Sequence, residues 1–230
     1  MGNPGIGGYM IFNAFIDIIA VVVALVFVQL ALTGINILQK GGSYKGRSME
    51  QILGAAPGKA TAKDIEKLNK AALFQLYYAA PAPNHEEVKG EYSGKTLTVG
   101  VLALSVDVYT HHFFGPGRWL GKAFFPFEKD KGWGYNIFSG KGKDRKEVLY
   151  RVRKMNTYIG KSLIDGKDSF HLDYRPHNSG TVHSMHDELR KINDNIFLGM
   201  GYMTLGGGSI NPAPFLIIGP AAKWVGADKE

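Results

Sequence analysis

The stretch MHDELRK, residues 185 to 191, gathers a histidine, two carboxylates, an arginine and a lysine within seven positions. On a strand, successive side chains point to opposite faces, so Met185, Asp187 and Leu189 share one side while His186, Glu188 and Arg190 share the other. If Met185 and Leu189 are core, Asp187 is a carboxylate inside the fold and requires a partner such as an arginine, a tyrosine or a ligand hydroxyl. It can be half of a structural ion pair or sit near the mouth of the fold. Alternatively, together with Tyr174 or Trp119, it can line a ligand pocket whose other walls are Met185 and Leu189. In a dry pocket its pKa would rise, which suits general acid or base work.

Histidines crowd the same region: His171, His177, His183 and His186 fall within 16 residues, and His111 and His112 are adjacent. A metal requires ligands converging on one point at roughly 2 Å. His183 and His186 have odd spacing and would face opposite sides of a strand, so the histidines read as solvated or interface residues and no metal site is predicted. The chain holds no cysteine, which excludes disulfides and thiolate chemistry. It also has no GxSxG elbow, P-loop, HExxH or dinucleotide fingerprint. LGGGS (205–209) reads as a hairpin loop, and no catalytic residue is assigned.

These residues need strands to hold them. From residue 90 onward, short Thr, Val, Tyr and Phe runs are divided by Gly, Pro, Asn and Asp, as in antiparallel sheets. VLYRVRK (148–154) alternates, with Val148, Tyr150 and Val152 against Arg151 and Arg153. SFHLDY (169–174) sets Phe170, Leu172 and Tyr174 against His171 and Asp173. MHDELRKINDNIFLGMGYM reads as strand, turn on Asn193 to Asn195, strand, and PFLIIGP as a last apolar strand. About eight strands fit between residues 90 and 220, and closure into a barrel removes exposed edges. Upstream, Ser48 with Gln51 and Thr61 with Asp64 look like capping boxes, and DIEKLNKAALFQLYYAAP reads as one amphipathic helix. The fold class expected is mainly β, with an N-terminal transmembrane helix, a short helical segment and an antiparallel barrel.

GEYSG (90–94), followed by RWLGKAFFP (118–126), resembles the GxWxG type of lipocalin-like domain, with Tyr92 at the aromatic position. IGKSLIDGKDSFHLDY and HDELRKINDNIFLGMGY are similar to the downstream strands of bacterial lipocalin-like proteins of unassigned activity, so the resemblance spans roughly residues 90 to 218. It implies a small up-and-down barrel able to hold one apolar ligand, and it implies no reaction.

Residues 9 to 34 form an apolar run longer than the roughly 20 residues a bilayer requires. No basic residue precedes it, whereas Lys40, Lys45 and Arg47 follow and are placed to touch the membrane surface. The positive-inside bias then puts the C-terminal side in the cytoplasm, as expected of a bacterial inner-membrane protein with its N-terminus outside. Asn13, Asp17, Ala20, Ala24 and Ala31 fall within a sector of roughly 60° on a helical wheel. Small and polar residues on one stripe suit contact with a partner helix. The division expected is an anchor over 1–38, a basic linker with amphipathic helices over 39–83, the barrel over 84–222 and a tail over 223–230. Outside the anchor lie all 27 basic residues and every one of the 20 acidic residues except Asp17, an excess that favours an anionic lipid surface or acidic partner over nucleic acid.

Three functions are compatible with this pattern. The leading expectation is a non-catalytic accessory or scaffold subunit that packs on other transmembrane subunits, with the barrel capping the cytoplasmic face. The second is a tethered carrier or sensor of an apolar molecule such as a lipid, quinone or pigment, and the third is a small-molecule enzyme using an inward Asp or His. No cofactor is predicted beyond such an apolar ligand.

Overall fold

The computed structural model describes residues 5–38, 42–100, 103–129 and 131–229. The chain opens with α1 (Gly5–Leu38), whose segment Ala14–Leu32 is long and apolar enough to cross a membrane and buries none of its length. Asp17, Ala20, Ala24 and Ala31 are exposed along it, as are Lys45 and Arg47 beyond it. The side chain of Asn13 and the whole of Lys40 lie outside the described residues.

Eight antiparallel strands follow in simple succession and close on themselves: β1 (Gly90–Thr96), β2 (Arg118–Glu128), β3 (Lys131–Lys141), β4 (Glu147–Lys161), β5 (Asp168–Asp173), β6 (Met185–Asn193), β7 (Ile196–Met203) and β8 (Ala213–Ala222). Pairing of β1 with β8 completes the ring. The alternation read from sequence holds on β5 and β6. On β4, Arg153 takes a positive φ of 58° and the register slips opposite Gly134 and Asn136, so this arginine steps out of the alternation and donates to the Phe114 carbonyl at 2.9 Å.

The GEYSG motif has a direct physical account. Gly90 sits at φ +110°, where an added Cβ would meet the Ala222 carbonyl at 2.7 Å, and Gly94 leaves the space that the Trp119 ring occupies. Tyr92 packs edge-on against Phe124 and Phe197, with both centroids at 5.8 Å, while its hydroxyl accepts from the Lys89 amide at 3.0 Å. The aromatic position thus fills the barrel and ties its opening strand to the residues just before it.

Both faces of part of the sheet are buried. Inside the barrel, Tyr92, Phe124, Phe170, Leu172, Leu189 and Phe197 fill one half. Outside it, three helices, α2 (Met49–Leu53), α3 (Ala62–Glu66) and α4 (Lys70–Ala79), build a second core on Ile192, Ile196, Leu198, Met200 and Leu216. Both expected capping boxes form, at Ser48 with Gln51 and at Thr61 with Asp64. The single helix expected over this region is two helices instead, because Asn69 accepts from the Ala72 amide at 2.9 Å and starts α4 afresh. Two further helices, α5 (Ala103–His112) and α6 (Gly180–His183), lie in strand connections at one end of the barrel. The C-terminal segment is pinned on the outside, with Trp224 at 4.6 Å from both Trp133 and Tyr135.

Gly94→Ala is expected to push the Trp119 ring out of place and to destabilise the fold by about 2 kcal/mol, the ordinary cost of overpacking a tight core. Denaturant unfolding of the detergent-solubilised chain measures it, and an unchanged midpoint would show that Trp119 has room to yield.

Candidate functional site

The half of the barrel that side chains do not fill holds a cavity of about 250 Å³. Its walls come from the start of β2, the start of β6, the β7–β8 connection and α5, and its apolar lining includes Phe114, Trp119, Met185 and Phe215. Helix α5 covers the opening from segment 97–117, which sequence reading left without an assignment. None of its residues is fully buried, which is why it carries no amphipathic signal.

At the cavity floor sits an ammonium that sequence reading missed. Lys122 is 2% exposed, and its Nζ lies 2.9 Å from Asp187 Oδ2 and 2.8 Å from Asn136 Oδ1 and also donates to the Tyr174 hydroxyl. Tyr174 in turn donates to Asp187 Oδ2 at 2.8 Å, and Trp119 Nε1 donates to Asn136 Oδ1 at 3.1 Å. Rings of Phe114, Trp119, Tyr174 and Phe215 surround the ammonium at 5.2 to 5.6 Å, close enough for each π-face to attract it. Burial pushes the Lys122 amine below its ordinary range while Asp187 pulls it back, and burial drives the Tyr174 phenol well above its own. The site is therefore a buried ion pair with its polar partners supplied by β2, β3, β6 and the residue after β5.

Trp119, Met185 and Asp187 line the cavity, Tyr174 stands one hydrogen bond behind Asp187, and Leu189 packs in the filled half. Among the described residues, the hydrogen bonds to Asp187 all reach Oδ2, whereas Oδ1 lies against Gly201, where an added Cβ would sit 2.8 Å away. Gly201 thus leaves one carboxylate oxygen facing the cavity. At the rim, Lys70 donates to Asn211 at 3.1 Å, and burial lowers its amine to about 8.

A second polar cluster lies on the outer surface of the barrel. His171 Nδ1 is 2.8 Å from His186 Nε2, and both rings lie beside Glu188, which accepts from Tyr77 at 2.7 Å, Tyr202 at 2.9 Å and the Leu163 amide at 3.0 Å. Arg190, 1% exposed, continues this layer through Asp165 at 2.8 Å and the Ala80 carbonyl at 3.1 Å. His177 and His183 stand apart, bonded to Asn156 and to the Asn178 carbonyl.

Asp187→Leu strands the Lys122 charge in an apolar interior and is expected to cost about 3–5 kcal/mol, whereas Lys122→Met with Asp187→Leu recovers most of that loss. A double-mutant cycle by urea unfolding reads the coupling, and additive losses would show that the two groups act independently. For Lys70, a folded pKa depressed to about 8 means stability increases as pH rises from about 8 towards the unfolded value near 10.4. At pH 8 about half of this amine is neutral, roughly 100-fold more than an unperturbed lysine, so mild acylation mapped by mass spectrometry is expected to favour it relative to its exposure.

No family model matches the chain, and no curated protein matches it. A solved structure described as the crystal structure of a protein from Thermomonospora curvata is similar at 15% identity over 66% of this chain and 87% of that one, with a TM-score of 0.44. The closed eight-stranded antiparallel barrel implied by the lipocalin-like resemblance is present, without a match to a GxWxG or lipocalin family.

Proposed function

We propose that this protein is a membrane-tethered binder of one small apolar molecule, held in the open half of the barrel and delivered to or taken from the bilayer. The observation that carries this reading is the coincidence of the cavity rim with the chain's exit from α1. Gly42 begins the turn after the apolar helix and packs on Ala71, with an added Cβ only 3.2 Å from the Ala71 methyl. Ala71 adjoins Lys70, whose ammonium is part of the rim. Four Cα–Cα steps separate Leu38 from Gly42, at most about 15 Å of chain, so an anchored α1 keeps the opening close to the headgroups.

The lining describes the guest. Aromatic and thioether walls favour an apolar body, and the free Oδ1 of Asp187 favours a hydroxyl or N–H donor on it. The Lys122 ammonium is already engaged by Asp187, Tyr174 and Asn136, so the site does not call for a second anion. A lipid, quinol or pigment bearing one donor fits this chemistry.

A second reading, an accessory subunit of a membrane complex, is favoured by the exposed stripe of Asp17, Ala20, Ala24 and Ala31 on an otherwise large-residue apolar helix. On either reading α1 is an anchor and not a cleaved signal, and the barrel lies in the cytoplasm.

The test is solvent extraction and mass spectrometry of the full chain purified in mild detergent. One apolar compound per chain is expected, with at least about a tenfold loss when Val106→Trp fills the cavity and with folding unchanged. Absence of any bound compound, joined to loss of co-purifying subunits in Ala20→Leu or Ala24→Leu, would put the accessory-subunit reading in its place.

A further inference from the structure

We infer that His171, His186 and Glu188 form a zinc-class metal site on the outer surface of the barrel, separate from the cavity. Register brings the three together: His171 pairs directly across from Glu188 on adjacent strands, and His186 precedes Glu188 by two positions on the same face of β6. One donor atom from each residue lies within 4.8 Å of the other two, and the facing imidazole nitrogens are 2.8 Å apart. Tetrahedral zinc with bonds of about 2.0–2.1 Å places its ligand atoms about 3.3–3.4 Å apart, so side-chain shifts of about 1 Å complete the arrangement.

The surroundings are those of a held ligand set. His171 is 2% exposed and stacked face to face on Tyr158, with centroids at 4.7 Å and planes 4° apart, which fixes its ring. Glu188 is fully buried and oriented by the Tyr77 and Tyr202 hydroxyls and the Leu163 amide, the kind of outer hydrogen bonding that aims a metal-binding carboxylate. Without a metal, the two imidazoles share a single hydrogen bond. This leaves Nε2 of His171 buried with no hydrogen bond among the described residues. With Nδ1 on a metal, that nitrogen becomes the distal N–H of a ring whose edge lies beside Gly160. His186 is half-buried and gives the ion its way in, leaving a fourth position for water. Two imidazoles and one carboxylate suit zinc, with cobalt as its spectroscopic substitute.

The expectation of no metal site arose from spacing along one segment, which pairs His183 with His186. Convergence here runs across two strands, and His183 is outside it, on α6 with its ring bonded to Asn178.

The test uses the full chain in detergent, stripped with chelator and titrated with zinc and, separately, cobalt. One equivalent of zinc is expected to bind, and cobalt is expected to give the intense visible absorption of a four-coordinate site. His186→Ala is expected to weaken zinc by roughly 100-fold, and His183→Ala to leave affinity unchanged. Thermal unfolding without metal establishes that each variant is folded. If His186→Ala does not fold, the cobalt spectrum of the unmodified chain decides alone. A weak octahedral spectrum, no saturable zinc binding, or equal affinity in folded His186→Ala would overturn the proposal.

Discussion

The barrel is organised around the Lys122–Asp187 ion pair. Two charges removed from water are tolerable only when their remaining hydrogen-bonding positions are filled, and that requirement recruits Asn136, Tyr174 and Trp119 from other parts of the sheet. It also divides the interior. On one side of the pair, phenylalanine and leucine side chains pack to closure. On the other, Gly94 and Gly199 let the Trp119 and Phe215 rings lie flat against the wall, and room is left between them. A polar partition across an apolar tube gives a definite floor, and the depth of the cavity follows from where β2 places its lysine.

Strands β6 to β8 obey a second constraint because they are covered on both faces. Their inward residues serve the barrel core, and their outward residues Ile192, Leu198, Met200 and Leu216 receive α4. The outward polar residues of β5 and β6 cannot then be solvated. Glu188 and Arg190 are consequently bonded to Tyr77, Asp165 and the end of α4, and the helix is held at one end by apolar contact and at the other by buried charge. The cation over the Tyr77 ring, at 4.6 Å, belongs to this arrangement.

Much of this was legible in the sequence. Alternation in SFHLDY and HDELR placed Tyr174 and Asp187 inward together, and the capping signals at Ser48 and Thr61 formed as read. Lys122 was hidden by a register shift: Trp119 and Lys122 are three positions apart and would face opposite ways on a regular strand, but the irregularity between Trp119 and Gly121 turns both inward. Such a slip leaves no trace in hydropathy. Cross-strand pairing of His171 with Glu188 was equally out of reach, because it depends on the length of the 174–184 connection and on register. Helix α5 escaped because its apolar residues Leu104 and Val108 are exposed, so no buried stripe marked it.

Closure of the sheet joins β1 to β8, whose paired residues lie more than a hundred positions apart, as Glu91 and Ala222 do. During synthesis no complete ring can exist until β8 has emerged, whereas α1 leaves the ribosome before any strand. The apolar helix is therefore complete while the barrel is still an open set of hairpins. Long-range pairing is slow relative to local helix formation, so the order of events is set by topology. The interior, and the cavity within it, is the last part of the molecule to exist.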